Sequence, residues 1–369
     1  MEEKIKKLSN TIVNYSLKIK ENDRVLITSV TSKPKKLIES LIDDITKKGA
    51  IVFVEIKEPS VENKLLKNTN NKRINQIVLI ENQKVENFDA FIQIRYTTNE
   101  YENSNVDSKI IKEKSNATKD IDFIRINKRR WVLLNYPSDL DAYKAKKNTE
   151  EFEDFAFNAM NYDYINMKKD MEPLVKLMEK TDMVHIIGPN TDLTFSIKGM
   201  PIIPCCGECN IPDGEVYTAP IKDSVNGMIK FNTPSVYRDN VYNDIYLKFE
   251  NGKIIDAKST NDSDKLNEIF DTDTGSRYIG EFSFGLNPLI TDPMGDILFD
   301  EKIIGSIHLT PGQAYQDAYN GNDSTIHWDL VMIGTKKYGG SEIYFDDVLI
   351  RKDGIFVLPE LKNLNYLSK

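Results

Sequence analysis

The first 140 residues of this 369-residue chain alternate short apolar runs with stretches of helical period, and the alternation stops near residue 180. Strands separated by helices cannot close as hairpins. They run parallel, and their connecting helices cover the sheet. RVLITSV (from Arg24), AIVFVEI (from Ala50), FDAFIQIRY and RRWVLLNYP read as four such strands. Pro34 opens the first connecting helix, Leu37, Leu41, Ile42 and Ile45 form its apolar face, and Gly49 closes it. The chain begins with another amphipathic helix that aligns Ile5, Leu8, Ile12 and Val13. Glu150 to Glu179 is again helical. From Met183 onward the pattern is β, with one short helix (SDKLNEIFD) and two-residue type I′ turns at Asn251-Gly252 and Asp353-Gly354. The expected architecture is an α/β N-terminal domain, residues 1–175, with a mostly parallel sheet, followed by a β-rich α+β C-terminal domain, residues 176–369.

Charge and composition exclude several classes. Lys and Arg number 49 against 57 Asp and Glu, a formal charge of -8. A nucleic-acid binder shows a basic face, and adhesion to anionic membranes needs one too. No window approaches the ~20 apolar residues of a membrane span, and the N-terminus has no apolar leader core. The expectation is a cytoplasmic protein. The turn after the first strand, TSKP, lacks a glycine-rich dinucleotide fingerprint, and no phosphate-loop motif follows elsewhere.

All three cysteines, Cys205, Cys206 and Cys209, fall in CCGECNIPDGEVYTAP. A redox C-x-x-C needs a helix N-terminus after its first thiol. Here a Pro- and Gly-containing turn follows, and no histidine is near enough in sequence to complete a zinc site. The thiols read as reduced bystanders, with a functional thiol site as the alternative.

The chain has three histidines, His185, His308 and His327. His327-Trp328-Asp329 lies among β-branched and apolar residues. On a strand His327 and Asp329 point to one face, with Trp328 and Leu330 behind. A buried His–Asp hydrogen bond is the plain reading, and a metal-ligand pair is the sharper one. His308 lies in a second strand before a Pro-Gly turn. Glu281, in RYIGEFSFGLNP, sits between apolar neighbours, where an unpaired carboxylate is costly. Glu215 stands where a turn passes into a β run. Imidazole with carboxylate suits zinc, cobalt or manganese. Three carboxylates against two dications leave about one positive charge, which favours ionising a metal-bound water. His185 has no partner motif and reads as a packing or surface residue, and Lys222 as a solvated surface lysine.

NIPDGEVYTAP, YIGEFSFGLNP, GSIHLTPGQAY and IHWDLV, in this order, resemble the motifs of the thermophilic aminopeptidase family, the dinuclear metallopeptidases of the aminopeptidase T and aminopeptidase S type. The resemblance implies a metal-dependent exopeptidase acting on peptides with a free N-terminus, and a homodimer. It implies a catalytic C-terminal domain with Glu215, Glu281, His308, His327 and Asp329 as metal ligands. Tyr315 matches a family tyrosine at the site, expected to stabilise the oxyanion. Two divalent ions per chain are expected, with Glu281 also the candidate for proton transfer. Which carboxylate bridges the ions stays open. So do a dinuclear amidase or phosphoesterase and a non-catalytic metal-binding protein on the same fold.

Overall fold

The structure, a computed structural model, describes residues 1–237 and 240–365. It divides into two compact units: Met1–Tyr162 with Gly207–Pro212, and Asp163–Cys206 with Asp213–Lys369.

The first unit is built on a five-stranded sheet, ordered Ile51–Ile56, Arg24–Ser29, Ala90–Tyr96, Arg130–Tyr136 and Asn210–Ile211. Every neighbouring pair is parallel, as the strand–helix alternation requires. The Lys35–Lys47 helix buries Leu37, Ile38, Leu41 and Ile45, while Ile42 is half-buried. The N-terminal helix buries Ile5, Leu8, Ile12 and Val13, as its period predicts. On the opposite sheet face, Leu26 and Phe91 cluster with Val85 and Ile121 from two other helices.

Two features add to the sequence reading. AIVFVEI forms the strand expected of it, and that strand lies on the sheet edge. Ile51, Phe53 and Ile56 are about half exposed, at 50%, 49% and 52%. The fifth strand, Asn210–Ile211, comes from the cysteine-rich stretch, where its register with Leu133 and Leu134 extends the parallel order.

The second unit holds two antiparallel sheets. An eight-stranded sheet contains both expected hairpins. Asn251 and Gly252 have φ of 48° and 81°, and Asp353 and Gly354 have 52° and 80°, the positive pair that a type I′ turn demands. The five-stranded sheet is ordered Leu330–Ile333, Ser306–Pro311, Ile279–Gly285, Glu215–Thr218 and Ile203–Cys205. Phe282 and Phe284 alternate with Glu281 and Ser283. Phe282 meets Phe195 of the larger sheet at 4.9 Å between ring centroids, and Phe284 meets Phe345 at 6.1 Å. Burying each ring contributes about 1.5–3 kcal/mol. The pleat therefore commits Glu281 and Ser283 to the other face of the small sheet.

Candidate metal centre

Strand register assembles the site. Ser283 pairs with Tyr217 on one side and His308 on the other, and Glu281 pairs with Thr310. Period-two alternation then places Glu215, Glu281, Ser283, His308 and Thr310 on one face. Gly280, at a register shift in this strand, is required by close approach: a Cβ there would lie 2.4 Å from the Gly312 carbonyl oxygen. His327 makes only an isolated bridge to Gly312, and the last strand of this sheet begins at Leu330. The expected strand at His327-Trp328-Asp329 is thus an irregular extended segment. It nevertheless brings the His327 Nε2 within 3.5 Å of Asp329 Oδ1 and 3.6 Å of Glu281 Oε2.

The five residues form two groups able to hold a cation. Glu215, Glu281 and His308 make one, and Glu281, His327 and Asp329 the other; within each, the donor atoms lie within 4.8 Å of one another. Glu281 is common to both. Its Oε1 is 3.1 Å from His308 Nε2, while its Oε2 is buried without a hydrogen-bond partner. A buried bare carboxylate oxygen is costly, and a cation would satisfy it. Both imidazoles are oriented for that purpose. His327 Nδ1 donates to the Gln313 carbonyl at 2.8 Å and His308 Nδ1 to the Glu301 carbonyl at 3.3 Å. A carbonyl only accepts, so each ring turns Nε2 toward the carboxylates. Thr310 donates to Asp329 at 2.5 Å and Ser283 to Glu215 at 3.1 Å. The donor set and the orphaned oxygen fit divalent ions.

Electrostatics follow from the crowding. Burial alone would lower the His308 pKa; the hydrogen bond to Glu281 and the charges of Glu215, Glu281 and Asp329 outweigh it and push it up to about 9. Burial raises Glu281 above the usual carboxyl range despite His308. Glu215 and Asp329 resist burial and lie below that range, Glu215 through Lys302 and His308, Asp329 through His327 and His308.

Two residues of this neighbourhood, Lys302 and Glu301, lie outside the motifs. Lys302 is fully buried, with Nζ 2.5 Å from Glu215 Oε1, 2.7 Å from Glu301 Oε1 and 3.6 Å from Asp213 Oδ1. Glu301 also hydrogen-bonds the Asp329 carboxylate, and burial raises it well above the ordinary range. Lys302, Glu301 and Asp213 enter the charge balance: Asp213, Glu215, Glu281, Glu301 and Asp329 with Lys302 sum to -4 when all are ionised, and to -3 when Glu301 keeps the proton it donates to Asp329. With that proton in place, two dications would leave about one positive charge. In FDEKIIG the only signal was three consecutive charges running into an apolar pair.

Tyr315 is 44% exposed, its ring 4.6 Å from that of His327 and 5.7 Å from that of Tyr217. Trp328 packs behind, stacked at 4.7 Å on Tyr237. His185 is a surface residue paired with Asp192 at 2.8 Å, and Lys222 lies over the Tyr278 ring. Among the cysteines, burial and the facing carboxylates Glu215 and Asp213 raise the Cys205 thiol well above its usual value, which disfavours a thiolate. Cys206 is buried with its sulfur 3.3 Å from that of Met171, and residues 206–209 form a turn rather than a helix start.

Asp273 anchors the segment that carries His327. It accepts hydrogen bonds from the Thr325 backbone and hydroxyl, both at 2.7 Å, and from Ser324 and Ser276, both at 2.8 Å. Against partial burial, these bonds hold its carboxyl well below the usual range. Its stabilisation is therefore present above the unfolded pKa of about 3.9 and lost as pH falls through the lower folded value. Asp273→Asn is expected to cost about 1–3 kcal/mol in thermal or denaturant unfolding at neutral pH, with the difference from wild type shrinking in acid.

Comparisons with known proteins bear on the family and the fold. The family described as thermophilic metalloprotease (M29) matches residues 1–355. Aminopeptidase AmpS of Bacillus subtilis is 32% identical over 167 residues, 41% of this chain and 40% of that protein. Aminopeptidase T of Thermus thermophilus is 28% identical over 188 residues, 44% of this chain and 45% of that protein. These alignments thus span less than half the length of the curated relatives. Among solved structures, wild-type AmpT from Thermus thermophilus superposes with a TM-score of 0.81 at 17% identity, covering 97% of this chain and 100% of that one. A 2,5-dihydroxypyridine dioxygenase from Pseudomonas putida reaches 0.64 at 13% identity, covering 98% and 99%. Both likenesses are of fold, and a fold alone does not specify chemistry. The match over nearly the whole length is what assigns the chain: it belongs to the thermophilic metalloprotease (M29) family.

Proposed function

We propose that this protein is a metal-dependent aminopeptidase that hydrolyses the N-terminal peptide bond of peptides, using two divalent ions per chain drawn from zinc, cobalt and manganese. The observation that carries the reading is the pair of donor groups sharing Glu281. Glu215, Glu281 and His308 would hold one ion, and Glu281, His327 and Asp329 the other, Glu281 being common to both groups. Bound there, the ions supply a Lewis acid for the scissile carbonyl and a water acidic enough to attack near neutral pH.

The protein's own groups do the rest. The Gln313 and Glu301 carbonyls fix both imidazoles. Ser283 and Thr310 each hold one carboxylate in place. Tyr315, partly exposed with its ring beside that of His327, is proposed to donate its hydroxyl to the oxyanion. Glu281 is proposed to take up the released proton where one of its oxygens is left free of the ions, with Glu301, hydrogen-bonded to Asp329, the next carboxyl along.

The test is chelation. Leucyl-anilide hydrolysis is expected to vanish with 1,10-phenanthroline and to return with zinc, cobalt or manganese; activity that survives in metal-free protein would sink the proposal. Tyr315→Phe is expected to keep its metal and lose about 10²–10³-fold in kcat. Equal loss of metal and turnover would make Tyr315 chiefly a ligand.

A homodimer belongs to the same proposal, supported by the exposed apolar edge strand Ile51–Ile56; sedimentation velocity reads it directly. Among the described residues, no helix is long and apolar enough to cross a membrane. A cytoplasmic location, proposed from composition and cysteine use, is tested by cell fractionation.

A further inference from the structure

We propose that Lys302 grades the two ion sites: its ammonium, fixed against Glu215, makes the Glu215–Glu281–His308 group the weaker, so the Glu281–His327–Asp329 group fills first. The inference rests on the proposed reading of both groups as ion sites and adds an order of filling and the residue that sets it.

Lys302 cannot leave. Its side chain has no exposure to solvent. It follows the short helical turn Ile297–Asp300, its backbone N–H donates to the Phe299 carbonyl, and its own carbonyl accepts from Asn287. Three carboxylates, Glu215, Glu301 and Asp213, surround its Nζ at 2.5, 2.7 and 3.6 Å. Moving it away would strand a buried charge.

The consequence falls unevenly. Glu215 Oε1 is taken by the ammonium. Only Oε2 faces the cluster, 3.5 Å from His308 Nε2, and it already accepts from Ser283. An ion in this group would share a carboxylate with a fixed positive charge. In the other group, Asp329 accepts from the neutral Thr310 hydroxyl and faces His327, and Lys302 reaches it only through Glu301. Glu281 is common to both, so it cannot account for a difference. Repulsion between an ammonium and a dication on one carboxylate is expected to separate the affinities by roughly tenfold or more. Lys302 is argued to act through Glu215 and is a positioning residue.

The experiment titrates chelator-stripped, full-length protein with Co²⁺, followed by calorimetry and by visible d–d absorbance. Wild type should take up cobalt in two resolved steps. Glu215→Gln should lose the second step and keep the first, and Asp329→Asn should lose the first. In Lys302→Met the two steps should converge, the weaker tightening roughly tenfold or more. If that variant does not fold, wild type and Glu215→Gln decide. Equal affinities in wild type, loss of the first step in Glu215→Gln, or an unchanged second step in folded Lys302→Met would each overturn the grading while leaving the metal reading intact. No cobalt uptake by wild type would overturn both.

Discussion

Replacing Glu281 with glutamine is expected to abolish binding of both divalent ions and to lower aminoacyl-anilide turnover by roughly three orders of magnitude or more, ~4 kcal/mol of barrier. The expectation comes from its shared position. Glu215→Gln and Asp329→Asn each damage one donor group, whereas Glu281 contributes to both. It is also the acid with a bare buried oxygen, Oε2, so it gains most from a cation. The amide keeps the size of the side chain and one carbonyl oxygen but loses the charge and one of two acceptors. Elemental analysis paired with kcat measurement reads both effects. A Glu281→Gln protein that retains two ions would show that the groups are independent and that the bridge lies elsewhere.

Metal uptake is expected to depend steeply on pH. His308, pushed up to about 9 in the metal-free protein, must shed its proton to become a ligand. Apparent affinity at the Glu215–Glu281–His308 group should therefore rise about tenfold per pH unit up to about pH 9 and then level off. Metal-free stability carries the opposite sign. The raised imidazole stabilises the fold fully below the unfolded value of about 6.5, and that contribution, a few kcal/mol at most, is lost as pH rises through about 9. Calorimetry in buffers of different ionisation enthalpy counts the released protons, and melting curves of chelated protein follow the second effect. Uptake without proton release at pH 7 would mean that His308 is already neutral there.

Much of this was legible in the sequence, and the reasons differ by residue. The parallel sheet followed from the alternation of strand and helix, which leaves no other way to connect the strands. The two hairpins followed from Asn-Gly and Asp-Gly. His308, His327 and Glu281 stood out because histidine is rare here and an acid between apolar residues needs a reason. Lys302 and Glu301 did not stand out. Their charges resemble an ordinary solvated turn, and the partner that explains Lys302, Glu215, lies 87 residues away. The edge position of AIVFVEI was not legible for a related reason: composition reports what a strand is made of, whereas its place in the sheet is decided by topology. The H-x-D geometry came out on one side of the chain without the regular strand assumed for it, because Gly312 and Gln313 hold His327 from the neighbouring segment.

The Asn210–Ile211 strand bears on how the protein is made. During synthesis, the first 162 residues leave the ribosome carrying four strands of a five-stranded sheet. The Arg130–Tyr136 strand, with Leu133 and Leu134, then has no neighbour on one side until residues 163–206 have also been translated. Through that interval it is an open template for pairing with another nascent chain. A fragment ending at Tyr162 would make that state permanent, so separating the first unit cleanly means supplying residues 207–212 along with it.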